Sequence, residues 1–190
     1  MAGTVLTLVI REPEAEMSPA DGIVPMGDIP ATVTAIRLAG LIRDDSVRIL
    51  ANWSMRIATL PVFRALPELA LGELQEDMPD LLDALLKAVS VSPYELDPAP
   101  MEHVAHKADA HGVKRASTFP IDVVLSEIQA LQREVRNAIW RNAQEVPVQV
   151  VHEFDERLNE VFEIAERSVV AAWVRQYSAL PAEFQTGDAA

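Results

Sequence analysis

The chain contains no cysteine, so it can form neither disulfide bonds nor thiolate-ligated metal sites. Basic residues are also scarce, because 16 Lys and Arg stand against 29 Asp and Glu, for a formal net charge of -13. Such an acidic chain repels phosphate groups, so nucleic acid and anionic membrane surfaces are not expected partners. No apolar run reaches the roughly 18 residues that a membrane-spanning helix needs. No signal-peptide pattern is present either, so we expect no membrane insertion and a cytoplasmic location.

Aromatic residues are few, at 5%, although 49% of the chain is hydrophobic. The apolar side chains are mainly Leu, Val and Ala, a composition that suits packing of helix on helix. A length of 190 residues is sufficient for one domain with a substantial core. We expect that domain to span residues 30–180. Residues 1–29 are predicted to be a flexible, acidic and proline-rich leader, and residues 181–190 a polar tail.

Apolar residues recur at helical spacing through most of the chain, and prolines separate the periodic segments. Residues 30–60 fit one long helix or two abutting helices, with Asp44-Asp45-Ser46 as a candidate restart. A leucine-rich helix is predicted to start at Asp77-Met78-Pro79, and a histidine-rich helix to follow from Pro100 to about Ala116. The predicted fold is all-α, a bundle or globin-like array of four or five main helices.

The last two predicted helices carry the most regular apolar pattern. After the break at Phe119-Pro120, and again after Pro147, apolar residues alternate at steps of three and four, which is a heptad seam. Such a seam suits a globular core face and also allows a homodimer. The candidate dimer or relay seam consists of Ile121, Val124, Ile128, Leu131, Val135, Val151, Phe154, Leu158 and Val161.

Three histidines lie close together in the chain, at His103, His106 and His111, with Glu102 and Asp109 among them. Some of these residues have the spacing of three or four that a metal site on one helix requires, but His111 is turned away from His106. The pattern favours a solvated polar face over a metal site. A globin-like fold would allow haem ligation by a histidine, yet nothing in the sequence singles one out. We therefore predict no metal and no cofactor.

Motifs for covalent or phosphate chemistry are missing from the sequence, which has neither a GxSxG motif nor a Gly-rich phosphate loop. The chain is therefore predicted not to be an enzyme. Trp53, Trp140 and Trp173 fall on three different predicted helices. They could line a ligand pocket, but anchoring a core or an interface is the more ordinary role of such residues.

A family resemblance centres on the junction between the histidine-rich helix and the helix that follows it. His111-Gly112-x-x-Arg115-Ala116, Phe119-Pro120-Ile121-Asp122 and Leu125-x-Glu127 resemble the signature of the N-terminal domain of RsbT co-antagonist proteins. These are stressosome proteins of the RsbR type, and similar domains stand at the front of many bacterial sensor histidine kinases. The resemblance spans residues 33–178. Its supporting matches are Arg48-Ile49-Leu50-x-x-Trp53, Met78-Pro79-Asp80-Leu81-Leu82-Asp83-Ala84-Leu85 and Phe154-Asp155-Glu156-Arg157-Leu158-Asn159-Glu160.

The resemblance implies a globin-like domain without haem, usually dimeric, that passes a sensory input to a phosphorelay or a sigma-factor switch. It supplies no catalytic residues, and it marks His111, Arg115 and Glu127 as signature positions that fix the helix junction. The family usually has a glycine before the aromatic residue of the break. This chain has Ser117-Thr118 there and is one residue shorter, which questions any function that depends on a tight turn.

Our first hypothesis is a non-enzymatic regulatory domain that forms a homodimer and relays a signal or docks a protein partner. The alternative is a helical module that binds a small molecule, haem or a metal ion. A metal-dependent hydrolase is a third and weaker hypothesis, because the ligand set is incomplete. No STAS domain or kinase core follows residue 180, so we expect either a stand-alone sensor or a fragment of a longer one.

Overall fold

A computed structural model of the chain describes residues 31–64, 76–90 and 97–179. These residues form seven α-helices and no strand, which confirms the all-α prediction. The predicted leader and tail lie outside the described residues. Among the described helices, none is both long and apolar enough to cross a membrane. The seven helices are α1 (Ala31–Asp44), α2 (Ser46–Ile57), α3 (Pro61–Arg64), α4 (Met78–Ser90), α5 (Ala99–Ala116), α6 (Ile121–Asn142) and α7 (Val148–Ala179).

Six of these helices have 12 or more residues, whereas four or five main helices were predicted. The difference lies at the start, where the chain forms two abutting helices that part at Asp45. The Asp45 amide bonds to the carbonyls of Leu41 and Ile42, and its own carbonyl accepts the amide of Ile49. Its side chain does not cap α2 but bonds to Arg48 and Arg141. An ion pair to a distant helix therefore holds the break.

Prolines set the other boundaries as the sequence predicts. Pro79 lies in the first turn of α4 and Pro100 in that of α5, where a missing amide hydrogen leaves no bond unmade. Pro120 separates α5 from α6, and Pro147 follows a 3₁₀ turn, Ala143–Glu145, that leads into α7. Pro61 follows the end of α2, at Ile57, and begins the short helix α3.

The heptad residues of α6 and α7 face the core of a single chain. Eight of the nine seam residues are buried there, and only Ile121 is partly exposed. α5 makes the most extensive contact with α7, while α6 packs against both α2 and α7. A homodimer that used this seam would have to open the core. The structure therefore places eight of the nine seam residues in the core of the single chain.

Candidate functional site

Four charged side chains meet where the start of α4, the end of α5 and the beginning of α6 come together. Asp77 directly precedes α4, His111 and Arg115 lie one turn apart on α5, and Glu127 lies in the second turn of α6. The spacing of four residues brings His111 and Arg115 to one face of α5. The side chains of His111, Arg115 and Glu127 are 1%, 2% and 0% exposed, and that of Asp77 is 26% exposed. We call these four residues the junction cluster.

Each cation of the junction cluster lies between the two carboxylates. The Nδ1 atom of His111 is 2.6 Å from Oδ2 of Asp77, and its Nε2 atom is 2.9 Å from Oε2 of Glu127. The second distance is that of an ion pair, but the ring nitrogen is too far out of line to form a good hydrogen bond. Arg115 donates from Nε to Oε2 of Glu127 over 3.1 Å, and a terminal nitrogen lies 3.5 Å from Oδ1 of Asp77.

The cluster shifts the acidity of its members. Burial alone would lower the pKa of His111, but the hydrogen bond to Asp77 and the nearby carboxylate of Glu127 raise the pKa of the imidazole above its ordinary 6.5. Burial would raise the pKa of Asp77, yet the hydrogen bond from His111 and the charges of His111 and Arg115 lower it to about 2. With a charged imidazole the four groups therefore sum to zero net charge.

Two tryptophans tie the backbone of α6 and its preceding turn to the rest of the domain. The buried Trp53 of α2 donates its indole hydrogen to the carbonyl of Glu127 over 2.9 Å. Trp173 of α7 donates in the same way to the carbonyl of Phe119, also over 2.9 Å. The ring of Phe119 packs on Phe63, with 5.1 Å between centroids. The junction is thus held by α2 and α7 as well as by its own charges.

The turn between α5 and α6 forms without the glycine that the family usually has there. The amides of Thr118 and Phe119 both bond to the carbonyl of Arg115. Ser117 has φ -82° and ψ -12°, an ordinary helical conformation. No described residue has a positive φ, so this turn needs no glycine. The shorter loop still delivers Glu127 to the cluster.

The remaining candidate residues do not assemble into a site. His103 and His106 are exposed on α5, whereas His111 is buried. In the described part of the chain, no group of three His, Asp or Glu residues is arranged to hold a metal ion. Trp53 is a core residue, but Trp140 is 65% exposed and so is not one. Trp173 is half-buried and stacks on Tyr177, with a centroid separation of 4.6 Å.

Sequence reasoning identified three members of the junction cluster and missed the fourth. The motif pointed to His111, Arg115 and Glu127 as residues of the helix junction, and the structure brings all three together. Asp77 was interpreted only as the start of a helix. A charge count could have identified Asp77. His111, Arg115 and Glu127 supply two cations and one anion, so one positive charge lacks a partner, and Asp77 is an acidic residue at the start of a predicted helix.

A second feature, which the sequence did not predict, is a shallow groove of about 430 Å³ between α2 and α6. Arg56 donates twice to Oε1 of Glu134 across it, over 2.6 and 3.0 Å. Burial would raise the pKa of Glu134, but bonds from Arg56 and Asn137 hold it below its ordinary value. The groove is lined by Asn52, Met55, Arg56, Thr59, Glu134, Asn137 and Arg141.

Comparisons of the chain with models of known protein families, with curated proteins and with solved structures find no match. The resemblance to the RsbT co-antagonist domain therefore rests on the sequence motifs alone.

Proposed function

We propose that this chain is a non-enzymatic regulatory domain of a bacterial signalling pathway, similar to the N-terminal domain of RsbT co-antagonist proteins. The observation that carries the proposal is the junction cluster. The three signature residues come from two helices and meet in one buried ion network. Their side chains are closed to a substrate, which favours a role in holding helices in one arrangement over a role in chemistry.

Buried charges are suited to that role. An ion pair inside a protein often contributes no more stability than well-packed apolar residues would, because both charges lose their hydration. It does, however, penalise every arrangement in which one partner is displaced. Arg115 and Glu127 are fully buried, so sliding α5 along α6 would break a buried ion pair. Such a junction has few intermediate positions, which is what a two-state relay requires.

The proposed relay runs from the cluster to α7. Gly112, next to His111, lies against the backbone of α7 at Val169, and Trp173 of α7 bonds to the turn before α6. A movement of α5 or α6 therefore displaces contacts of α7 directly. We take the 32-residue helix α7 as the element that carries the signal onward.

Hydrogen exchange tests the relay. Glu127→Gln keeps the shape of the side chain but removes its charge, and the matched control Glu160→Gln removes an exposed charge from α7 itself. We expect Glu127→Gln to reduce amide protection along α7 as well as at the junction, and the control to leave both unchanged. If the effect of Glu127→Gln remained confined to α5 and α6, the relay to α7 would be rejected.

The homodimer is a separate part of the proposal. Since the seam of α6 and α7 is core, a dimer has to form through exposed side chains, among which Trp140 is the largest apolar one. We expect sedimentation velocity to show a dimer at micromolar concentration and Trp140→Ser to weaken it. A wild-type monomer under those conditions would remove dimerisation from the proposal while leaving the relay intact.

The groove between α2 and α6 favours one second candidate, a module that binds a small polar molecule. Its volume lies within the range of ligand sites, and its amide and guanidinium groups could orient a ligand. A thermal-shift screen of small carboxylates and amides tests this function, with Met55→Trp as a variant that fills the groove. Stabilisation by a compound in the wild type but not in Met55→Trp would support it, and no shift with any compound would reject it.

A further inference from the structure

We propose that His111 is a proton-dependent lock on the helix junction. By this we mean that His111 joins α4, α5 and α6 only while both of its ring nitrogens carry a proton. Deprotonation at rising pH releases the start of α4. This lock is a property of the fold and does not depend on a regulatory role of the domain. Each ring nitrogen of His111 faces a carboxylate oxygen.

A neutral imidazole cannot satisfy this geometry. It carries one N–H group and one lone pair, so it can present a proton to only one of the two carboxylates. The other nitrogen would then point a lone pair at an oxygen, either at Asp77 over 2.6 Å or at Glu127 over 2.9 Å. Both tautomers leave one such repulsive contact, and only the imidazolium leaves none.

The charge balance leads to the same state. The groups that face the ring are Asp77 before α4, Arg115 on α5 and Glu127 on α6. Lys114 lies further out, with Nζ 3.6 Å from Asp77 and at the same distance from Glu76. Among the described residues, α7 adds no charged group to the cluster. A neutral ring would therefore leave the four groups of the junction cluster with a net charge of -1, which is costly because three of the four are buried in a medium of low dielectric constant.

Glu127 depends on His111 in particular. Its side chain is fully buried, and its Oε1 atom accepts no hydrogen bond from the described residues. Both of its cationic partners, His111 and Arg115, lie at Oε2. Loss of the imidazolium charge thus removes one of the two cations that compensate this carboxylate.

The weakest member of the network is Asp77, because it alone reaches solvent. Its carbonyl accepts the amide of Leu81, so it is also the residue from which α4 begins. Trp53 holds the backbone of Glu127 from the other side, and the fully buried carboxylate cannot reach water without opening the core. Asp77 can rotate into water, and the release therefore starts at the first turn of α4.

The direction with pH follows from the raised pKa of His111. A group whose pKa is higher in the folded state contributes stability that is complete below its unfolded value, near 6.5. That contribution is lost as pH rises through the folded pKa. The lock is therefore closed below pH 6.5 and opens as the pH rises through the raised pKa of His111.

An NMR titration of the full chain combined with urea unfolding tests the lock. We expect the ring of His111 to titrate above pH 6.5, and the Leu81 amide and the Trp53 indole to shift with the same midpoint. Between the unfolded and folded pKa values, the folding equilibrium constant should fall about tenfold per pH unit. A His111 pKa at or below 6.5 would overturn the proposal.

Variants separate His111 from the other histidines. His111→Gln cannot be charged, so it should lower stability below pH 6.5 and abolish the fall in stability as the pH rises, whereas the exposed control His106→Gln should keep that fall. Persistence of the fall in His111→Gln would refute the lock. If His111→Gln does not fold, Asp77→Asn decides, because removal of one facing carboxylate should lower the pKa of His111. An unchanged His111 pKa in Asp77→Asn would refute the lock equally.

Discussion

Gly112 lies where α5 approaches α7 most closely, and its replacement by alanine tests how tightly these two helices are packed. A Cβ atom on Gly112 would lie 2.5 Å from the carbonyl oxygen of Val169 and 3.1 Å from its Cα atom. It would also lie 3.0 Å from the Cβ atom of Ala172. Two of these three neighbours are backbone atoms of α7. No rotation of a side chain can relieve the contact, so one helix has to move.

The expected magnitude follows from two opposing terms. Replacing glycine by alanine inside a helix ordinarily stabilises it by about 1 kcal/mol, because the unfolded chain loses freedom. Overpacking a core costs about 1–3 kcal/mol, and contact with backbone places this site at the upper end. The difference is a net loss of about 2 kcal/mol for Gly112→Ala. His111 is the neighbouring residue, so a displacement of α5 would also strain the junction cluster.

Urea unfolding followed by circular dichroism measures the free energy of unfolding directly. Gly40 provides the matched control, because it lies inside α1 and a Cβ atom there would meet nothing within 4 Å. Gly40→Ala should therefore stabilise the domain by about 0.5–1 kcal/mol. If Gly112→Ala were as stable as Gly40→Ala, the close approach of α5 and α7 would be refuted.

Three further predictions concern the core, the stability at low pH and the hydrogen bond that Trp173 of α7 donates. Leu131→Asp should destabilise the domain by several kcal/mol, on the order expected for an unpaired buried charge, whereas the exposed His106→Ala should have little effect; equal melting temperatures would contradict this. Because the pKa of Asp77 is lowered from 3.8 to about 2, stability should fall by up to about 2 kcal/mol as pH drops from 3.8 towards 2. In Asp77→Asn the fall in stability at low pH should be smaller by about this 2 kcal/mol. If the urea midpoint of Asp77→Asn depended on pH below pH 4 as that of the wild type does, the ion network of Asp77 would be contradicted. Trp173→Phe removes the hydrogen bond to the carbonyl of Phe119 and should cost about 1 kcal/mol in urea unfolding, so full wild-type stability would show that the tie contributes nothing.

Much of the helical architecture was predictable because it follows from local patterns. The periodic apolar residues and Pro120 place α6 at Ile121–Asn142, and Pro79 and Pro100 place the starts of α4 and α5. These features act over a few residues, through steric exclusion by proline and burial of one helical face. The sequence did not decide whether α1 and α2 form one helix or two. The ion pair at the break joins Asp45 to Arg141, which lies 96 positions away in the chain.

Tertiary structure decided what each apolar face packs against. The heptad pattern of Leu131 and Leu158 shows that a face is buried, but an identical pattern serves a dimer seam and an intramolecular core. Only the arrangement of the other helices shows that these residues lie inside one chain. The exposure of Trp140 has the same origin, because side-chain size indicates a preference for burial and not the presence of a partner.

The junction cluster separates what the local sequence determined from what only the tertiary structure decided. The sequence alone placed His111 and Arg115 on one helix and Glu127 near the start of the next, since each position follows from local spacing. It did not place Asp77 with them, because 34 residues separate Asp77 from His111 and an acidic residue at a helix start already has a local explanation. The approach of α4 to α5 brings this carboxylate to the imidazole. Burial and charge pairing, which no local pattern encodes, then convert four ordinary polar residues into one cooperative network.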